Sequence, residues 1–85
     1  MESDELVNDL AEYTHLTWAG WMDYLFKKSV TNDDGSVTIP KDLVDRWKRQ
    51  MNTDYKYLSD EEVASDKSEA YRIISLFIAF LDRQS

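Results

Sequence analysis

The sequence predicts an all-α fold, a small bundle of three main helices with a loop-rich middle. The chain has 85 residues but only two Gly and one Pro, so few positions interrupt a helix. Apolar residues also recur at helical spacing in three separate stretches. Because the length suits one small core, residues 1–85 are assigned to a single helical domain.

The predicted first helix runs from about Asp4 to Lys28. Acidic residues at its start and two Lys residues at its end suit the helix dipole, and Ser3 is the expected N-cap. Gly20 lies inside this helix, where Gly costs about 1 kcal/mol relative to Ala. That cost indicates close packing, a kink, or approach of the backbone to a bound molecule.

A polar loop is expected from Thr31 to Thr38, with a short extended piece at Val37–Ile39. Its Asp-Asp-Gly run resembles part of a calcium-binding loop. The first and twelfth ligand positions of such a loop would fall on Val30 and Lys41, where acidic ligands are required. A turn that needs Gly35 is therefore predicted in place of a calcium site.

Pro40 suits the first turn of a second helix that ends near Met51. A second loop, rich in Tyr, follows it. The third helix begins at a capping box, in which Ser59 caps the helix and Glu62 pairs with it, and it ends near Asp82. This helix is apolar from Ile73 to Leu81 at every position except Ser75, which is more than one buried face requires. Either the first helix wraps this end or a second copy of the chain covers it. Of these two, we expect the second, a homo-oligomer through the C-terminal helix.

Composition narrows the function classes. The formal net charge of −7 opposes binding to duplex nucleic acid or an anionic membrane, since phosphate neutralisation needs a basic surface. An acidic start and the lack of a long apolar stretch predict a soluble, cytoplasmic protein. With no Cys and one His, neither a metal site nor a cofactor is expected. No nucleophile is marked beside His15, so no catalytic residue is assigned and the protein is predicted not to be an enzyme.

Aromatic side chains are numerous. Three Trp and five Tyr are hard to bury fully in one small core, so some are expected to line a groove. Rings beside Arg or Lys stack flat heterocycles and hold phosphates, and the run from Arg46 to Gln50 offers such a mixture. The alternative interpretation stays open: the rings fill the core and the basic residues form a solvated face.

Two stretches together resemble the RyR domain, the repeat named after ryanodine receptors and also found in bacterial and phage proteins. Residues 10–19, LAEYTHLTWA, match that family's opening helix with its His-x-x-Trp core at His15 and Trp18. Residues 54–62, DYKYLSDEE, with Asp66-Lys67 after them, match the family's Pro-Tyr-x-x-Leu-x-x-Glu-Glu-Lys-x-x-Asp-Arg pattern. Asp54 stands in place of the usual Pro, Val63 in place of the usual Lys and Lys67 in place of the usual Arg.

The resemblance covers about half of the chain and implies recognition of a nucleotide or cyclic-nucleotide signal. Tandem RyR pairs imply a homodimer for a lone domain. A free-standing phage copy would act by sequestering a host antiviral defence messenger in the host cytoplasm. The residues expected to bind the ligand are His15, Trp18, Trp21, Lys41, Arg46, Trp47, Arg49, Gln50 and Tyr55. The alternative function is an acidic protein-binding inhibitor of a host protein, which the net charge also fits.

Overall fold

The computed structural model describes the backbone of residues 2–84 and the side chains of residues 4–84. Three α-helices form: α1 at Glu2–Lys28, α2 at Lys41–Met51 and α3 at Asp60–Gln84. The predicted all-α class with three main helices is confirmed. Across residues 2–84, no helix offers the apolar length that crossing a bilayer requires.

The helix ends follow the local sequence signals with small shifts. α1 ends at Lys28 as predicted, with Lys27 and Lys28 in its last turn. It begins at Glu2, so Ser3 lies inside the first turn and the predicted cap position was wrong; the side chain of Ser3 lies outside the described part. Pro40 precedes α2, and its carbonyl accepts the amides of Leu43 and Val44 at 3.1 Å each.

The capping box that opens α3 is confirmed. The amide of Glu62 donates to Oγ of Ser59 at 3.2 Å, and the amide of Ser59 donates to Oε1 of Glu62 at 3.1 Å. Two amides that the helix itself leaves without acceptors are thereby satisfied. Glu62 is also buried, with 8% of its surface exposed.

The chain divides into two compact units, and the single-domain assignment stays a prediction. The first unit comprises residues 1–16 and 59–85, and the second comprises Thr17–Leu58. Each is described separately below.

In the first unit, polar contacts join α1 to α3. The hydroxyl of Tyr13 donates to the carboxylate of Glu69. Near the other end, Arg83 donates from Nε to Oε1 of Glu5 at 3.1 Å and from a terminal nitrogen to Oδ2 of Asp9 at 2.5 Å. Because early positions of α1 meet late positions of α3, these segments run antiparallel.

Among the described residues, Phe80 is the one buried apolar side chain, with 8% of its surface exposed. It lies on α3 one turn before the end, and the guanidinium of Arg83 lies 6.0 Å from its ring centroid. The hydrogen bond to Asp9 contributes most to raising the pKa of Arg83 above its usual value. The apolar interior of this unit is therefore very small.

In the second unit, a small hairpin follows α1. The strands β1 (Val30–Thr31) and β2 (Val37–Thr38) pair antiparallel, with Val30 opposite Thr38. The predicted extended piece at 37–39 is confirmed for its first two residues, while its pairing partner was not predicted. Gly35 has φ 89°, a left-handed conformation that favours Gly, so the expected turn is present.

A 3-10 helix at Tyr55–Tyr57 interrupts the second predicted loop. Gly20 lies in the part of α1 that belongs to the second unit. A Cβ placed on Gly20 meets nothing within 4 Å, so close packing does not account for the glycine.

Candidate functional site

A cluster of three rings joins α1 to α2 within the second unit. The Trp21 and Tyr24 ring centroids lie 6.2 Å apart with their planes at 89°, an edge-to-face contact. The Tyr24 and Trp47 centroids also lie 6.2 Å apart, with the planes tilted by 53°. Such spacings are typical of favourable aromatic pairs. We call Trp21, Tyr24 and Trp47 the ring cluster.

The ring cluster has a half-buried part and an exposed part. Tyr24 and Trp47 are half-buried, whereas Trp21 keeps 52% of its surface exposed. Trp18, three residues before Trp21 on α1, is 58% exposed. Because residues three apart share a helix face, the two exposed indoles lie on neighbouring parts of the α1 surface. The ring cluster holds Trp21 from one edge and leaves it open to a ligand.

The amphipathic pattern of α2 positions its polar groups around Trp47. Leu43, Val44, Trp47 and Gln50 are half-buried, and the other residues of the helix are exposed and charged, apart from the exposed Met51 at its end. Arg46 precedes Trp47 and lies one turn before Gln50, so Arg46 and Gln50 flank the indole on the same side. Arg46 makes no ion pair within residues 4–84. This flank presents a guanidinium and an amide beside a ring.

The other predicted basic residues differ in their surroundings. Lys41 is tied to Asp45, with Nζ 2.7 Å from Oδ2, and 87% of its side chain is exposed. It lies about 140° around the helix from Arg46, since each residue turns the helix by about 100°. Arg49 is exposed and has a partner of its own, and its carbonyl accepts the hydroxyl of Thr53 at 2.5 Å. Arg46 is thus the predicted cation best placed to serve a ligand at Trp47.

Two predicted residues fall outside this arrangement. His15 belongs to the first unit, is exposed, and has an interaction partner. Tyr55 opens the 3-10 helix of the second unit and is 52% exposed. The structure therefore brings together Trp21 and Trp47 from the predicted set, and it adds Tyr24 between them.

Tyr24 and Lys28 are the residues that sequence reasoning missed. Lys28 lies one turn after Tyr24, and its Nζ lies 5.7 Å from the ring centroid, which is a cation–π distance. The spacing Trp21, Tyr24, Lys28 is i, i+3, i+7 on one helix face and was available in the sequence. Nothing local pointed to Trp47 as the ring that Tyr24 would meet.

The charge of the chain is unevenly divided. Residues 17–58 hold seven Lys and Arg against six Asp, a formal charge of +1. Residues 1–16 and 59–85 hold three Lys and Arg against eleven Asp and Glu, a formal charge of −8. The acidic balance of the whole protein thus resides in the first unit, and the unit with the ring cluster has no net negative charge.

The polar loop between β1 and β2 satisfies its own polar groups. Oδ1 of Asp34 accepts the Ser36 amide at 2.9 Å and the Ser36 hydroxyl at 2.6 Å. These bonds, the one from the hydroxyl above all, lower the pKa of the exposed Asp34 carboxyl below its ordinary value of 3.8. Within residues 4–84, no group of three or more His, Asp or Glu is arranged to hold a metal ion.

Comparison of the chain with protein-family models, with curated proteins and with solved structures gave no match. The resemblance to the RyR domain therefore stays a prediction from the two quoted stretches. What the structure provides for a functional argument is the ring cluster, the exposed indoles and the charge division.

Proposed function

We propose that this protein is a small binding module whose Thr17–Leu58 unit holds a nucleotide or cyclic nucleotide. The observation that carries the proposal is the exposure of Trp18 and Trp21, each more than half open to solvent, on the unit that lacks the acidic excess. A base stacked on such a ring contributes about 1–3 kcal/mol. The ligand class follows from pairing a flat surface with the cations of the same unit.

The ring cluster suggests how the ligand is held. Trp21 offers one indole face while its contact with Tyr24 restrains it, so little side-chain entropy remains to be lost on binding. Arg46 is suited to pair with phosphate oxygens, because a guanidinium donates two parallel hydrogen bonds to such a group. Gln50, on the same flank, has an amide that matches the polar edges of a base.

The resemblance to the RyR domain supports the same ligand class. It adds the physiological role that we propose, in which a phage-type copy sequesters a nucleotide-derived defence messenger in the host cytoplasm. Binding without turnover is sufficient for such a role. His15 and Tyr55 enter the proposal through the resemblance and through their exposure, and Arg49 enters as a secondary cation. Lys41 is left out of the proposed site because its amine is paired with Asp45.

Calorimetry with a matched set of ligands tests the proposal. The set contains nucleosides, mononucleotides, linear and cyclic dinucleotides, and inorganic phosphate. We expect heat with at least one nucleotide and a loss of about 5- to 150-fold in affinity for Trp21→Ala, which corresponds to the 1–3 kcal/mol of stacking. Phe26→Ala is the control, since Phe26 is an equally exposed ring on α1, at 56%, outside the ring cluster.

A second pair of variants tests the phosphate contact. Arg46→Gln is expected to weaken the binding of nucleotides and to leave the binding of nucleosides unchanged. Lys41→Gln is expected to change neither, because the amine of Lys41 is already paired with Asp45. Trp18→Ala serves as a second stacking variant, since Trp18 is the other exposed indole of α1. No heat with any ligand, or equal losses for Trp21→Ala and Phe26→Ala in folded protein, would refute the proposal.

The alternative, an acidic inhibitor that binds a host protein, is favoured by the −8 charge of the first unit. Clustered carboxylates of this kind steer a basic partner and lose their effect with salt. A stoichiometric host protein whose binding survives Trp18→Ala and Trp21→Ala would favour this function over nucleotide binding.

A further inference from the structure

α3 presents two different faces in the first unit. Its inner face points to α1 through Glu69 and Arg83, and the buried Phe80 lies on this side. Its outer face carries a second apolar stripe at Ile74, Phe77, Ile78 and Leu81, positions that follow the i, i+3, i+4, i+7 spacing. Water contacts this stripe in the single chain.

The exposure of the stripe is large. Ile74 and Ile78 are each 52% exposed, Phe77 is 46% and Leu81 is 47%; the flanking Tyr71 is 66% exposed. An aromatic side chain buries about 150–250 Å² in full, and if the aliphatic ones bury amounts near the lower end, five half-exposed side chains offer about 400–600 Å². A standard protein interface buries about 800 Å² on each partner. The stripe and its polar rim therefore supply about the area that a stable dimer needs.

We propose that the outer stripe of α3 binds the same stripe of a second copy, with the two helices antiparallel around a two-fold axis. Placing the axis between Ser75 and Leu76 brings Ile74 opposite the partner's Phe77. The same register brings Ala70 opposite the partner's Leu81, a small residue against a large one. Each of these pairs occurs twice about the two-fold axis, as an isologous interface requires.

The charged residues at the two ends of the stripe favour this occupant. Lys67 lies seven residues before Ile74, and Asp82 lies four residues after Ile78, so both continue the outer stripe along the helix. Neither makes an ion pair within residues 4–84. In the antiparallel register, Lys67 comes within a helical turn of the partner's Asp82, and the two-fold axis repeats the pair. A basic partner protein would instead need acidic residues at both ends.

Analytical ultracentrifugation of the full chain tests the dimer. We expect a dimer at micromolar concentration, and a loss of association of at least 100-fold for Phe77→Glu. Val7→Glu is the matched control, because Val7 is 61% exposed on α1 outside the stripe and receives the same new charge. Far-UV circular dichroism confirms that both variants stay helical. A monomeric wild type, or equal effects of the two variants, would overturn the proposal.

Spin labelling tests the register. The chain has no Cys, so Ser65→Cys, at an exposed position of α3, accepts a single label. With the axis between Ser75 and Leu76, the two labelled backbones lie about 32 Å apart along the helix direction at 1.5 Å per residue. A parallel pair would give about 10 Å, which would overturn the antiparallel arrangement.

Salt distinguishes a second copy from a basic partner. Each first unit carries −8, so the two copies repel each other and screening reduces that repulsion. We expect the dimer dissociation constant to fall severalfold as NaCl rises. Association that weakens steadily with salt would contradict this, because it would indicate attraction between opposite charges as the main contribution.

Discussion

The capping box of α3 allows a stability prediction with a worked magnitude. Ser59→Ala removes the acceptor of the Glu62 amide, a bond of 3.2 Å. Loss of an N-cap costs about 0.5–2 kcal/mol, and the bond is at the long end of the usual range, so we expect about 0.5–1 kcal/mol. A domain of this size shifts its Tm by about 4–8 °C per kcal/mol.

Glu62→Ala is expected to cost more than Ser59→Ala. It removes the acceptor of the Ser59 amide and also a side chain that is only 8% exposed. One buried methylene contributes about 0.8 kcal/mol and a hydrogen bond about 1 kcal/mol, which together give about 2 kcal/mol. Because each bond orients the other, the double variant should cost less than the sum of the single variants by about 0.5 kcal/mol or more.

Urea denaturation followed by circular dichroism, at fixed protein concentration and neutral pH, measures these differences. Glu61→Ala is the control, since it removes the same charge from the same turn at an exposed position and reports the helix dipole alone. Glu62→Gln keeps an acceptor and should lose little. The reasoning is refuted if Glu62→Ala costs no more than Glu61→Ala, or if the single effects add within 0.3 kcal/mol.

Two further predictions concern the glycines and the hairpin loop. Gly20→Ala should stabilise the protein by about 1 kcal/mol, since Ala favours a helix interior and its Cβ meets open space. Gly35→Ala should destabilise it by about 1–2 kcal/mol because φ is 89°; equal signs for the two variants in thermal melts would contradict this. NMR titration should give Asp34 a pKa below 3.8 that Ser36→Ala raises. The lowered pKa stabilises the folded protein at any pH above the pKa that Asp34 has in the unfolded chain. This stabilisation is lost as pH falls through the pKa of Asp34 in the folded protein. An unshifted pKa in both proteins would count against the loop geometry.

What the sequence made predictable depended on the range of the interactions. The capping box joins residues three apart, so its letters alone indicated both hydrogen bonds between Ser59 and Glu62. The contact between Tyr24 and Trp47 joins separate helices, and no spacing rule connects them. The strand Val30–Thr31 is too short to show a period of two.

The sequence indicated which types of residue could form a site, but not which of them the fold would bring together. The abundance of rings predicted that some would line a groove; Trp18 and Trp21 are exposed, and the groove itself stays a prediction. Lys41 and Arg46 were both predicted to bind the ligand. The structure pairs Lys41 with Asp45, and their i, i+4 spacing was visible in the sequence. Residue counts identify the available chemistry, and only the fold shows which groups are already engaged.

The charge division between the units has a consequence for the size of ligand that the proposed site would accept. At physiological ionic strength a charge is screened over about 8 Å, so a mononucleotide or small cyclic ligand senses only the groups around it. A long polyanion experiences the sum of many such contacts and is opposed by the overall charge of −7. Electrostatics would therefore favour short phosphate ligands over long polyanions at the proposed site, and cellular RNA would compete poorly for it.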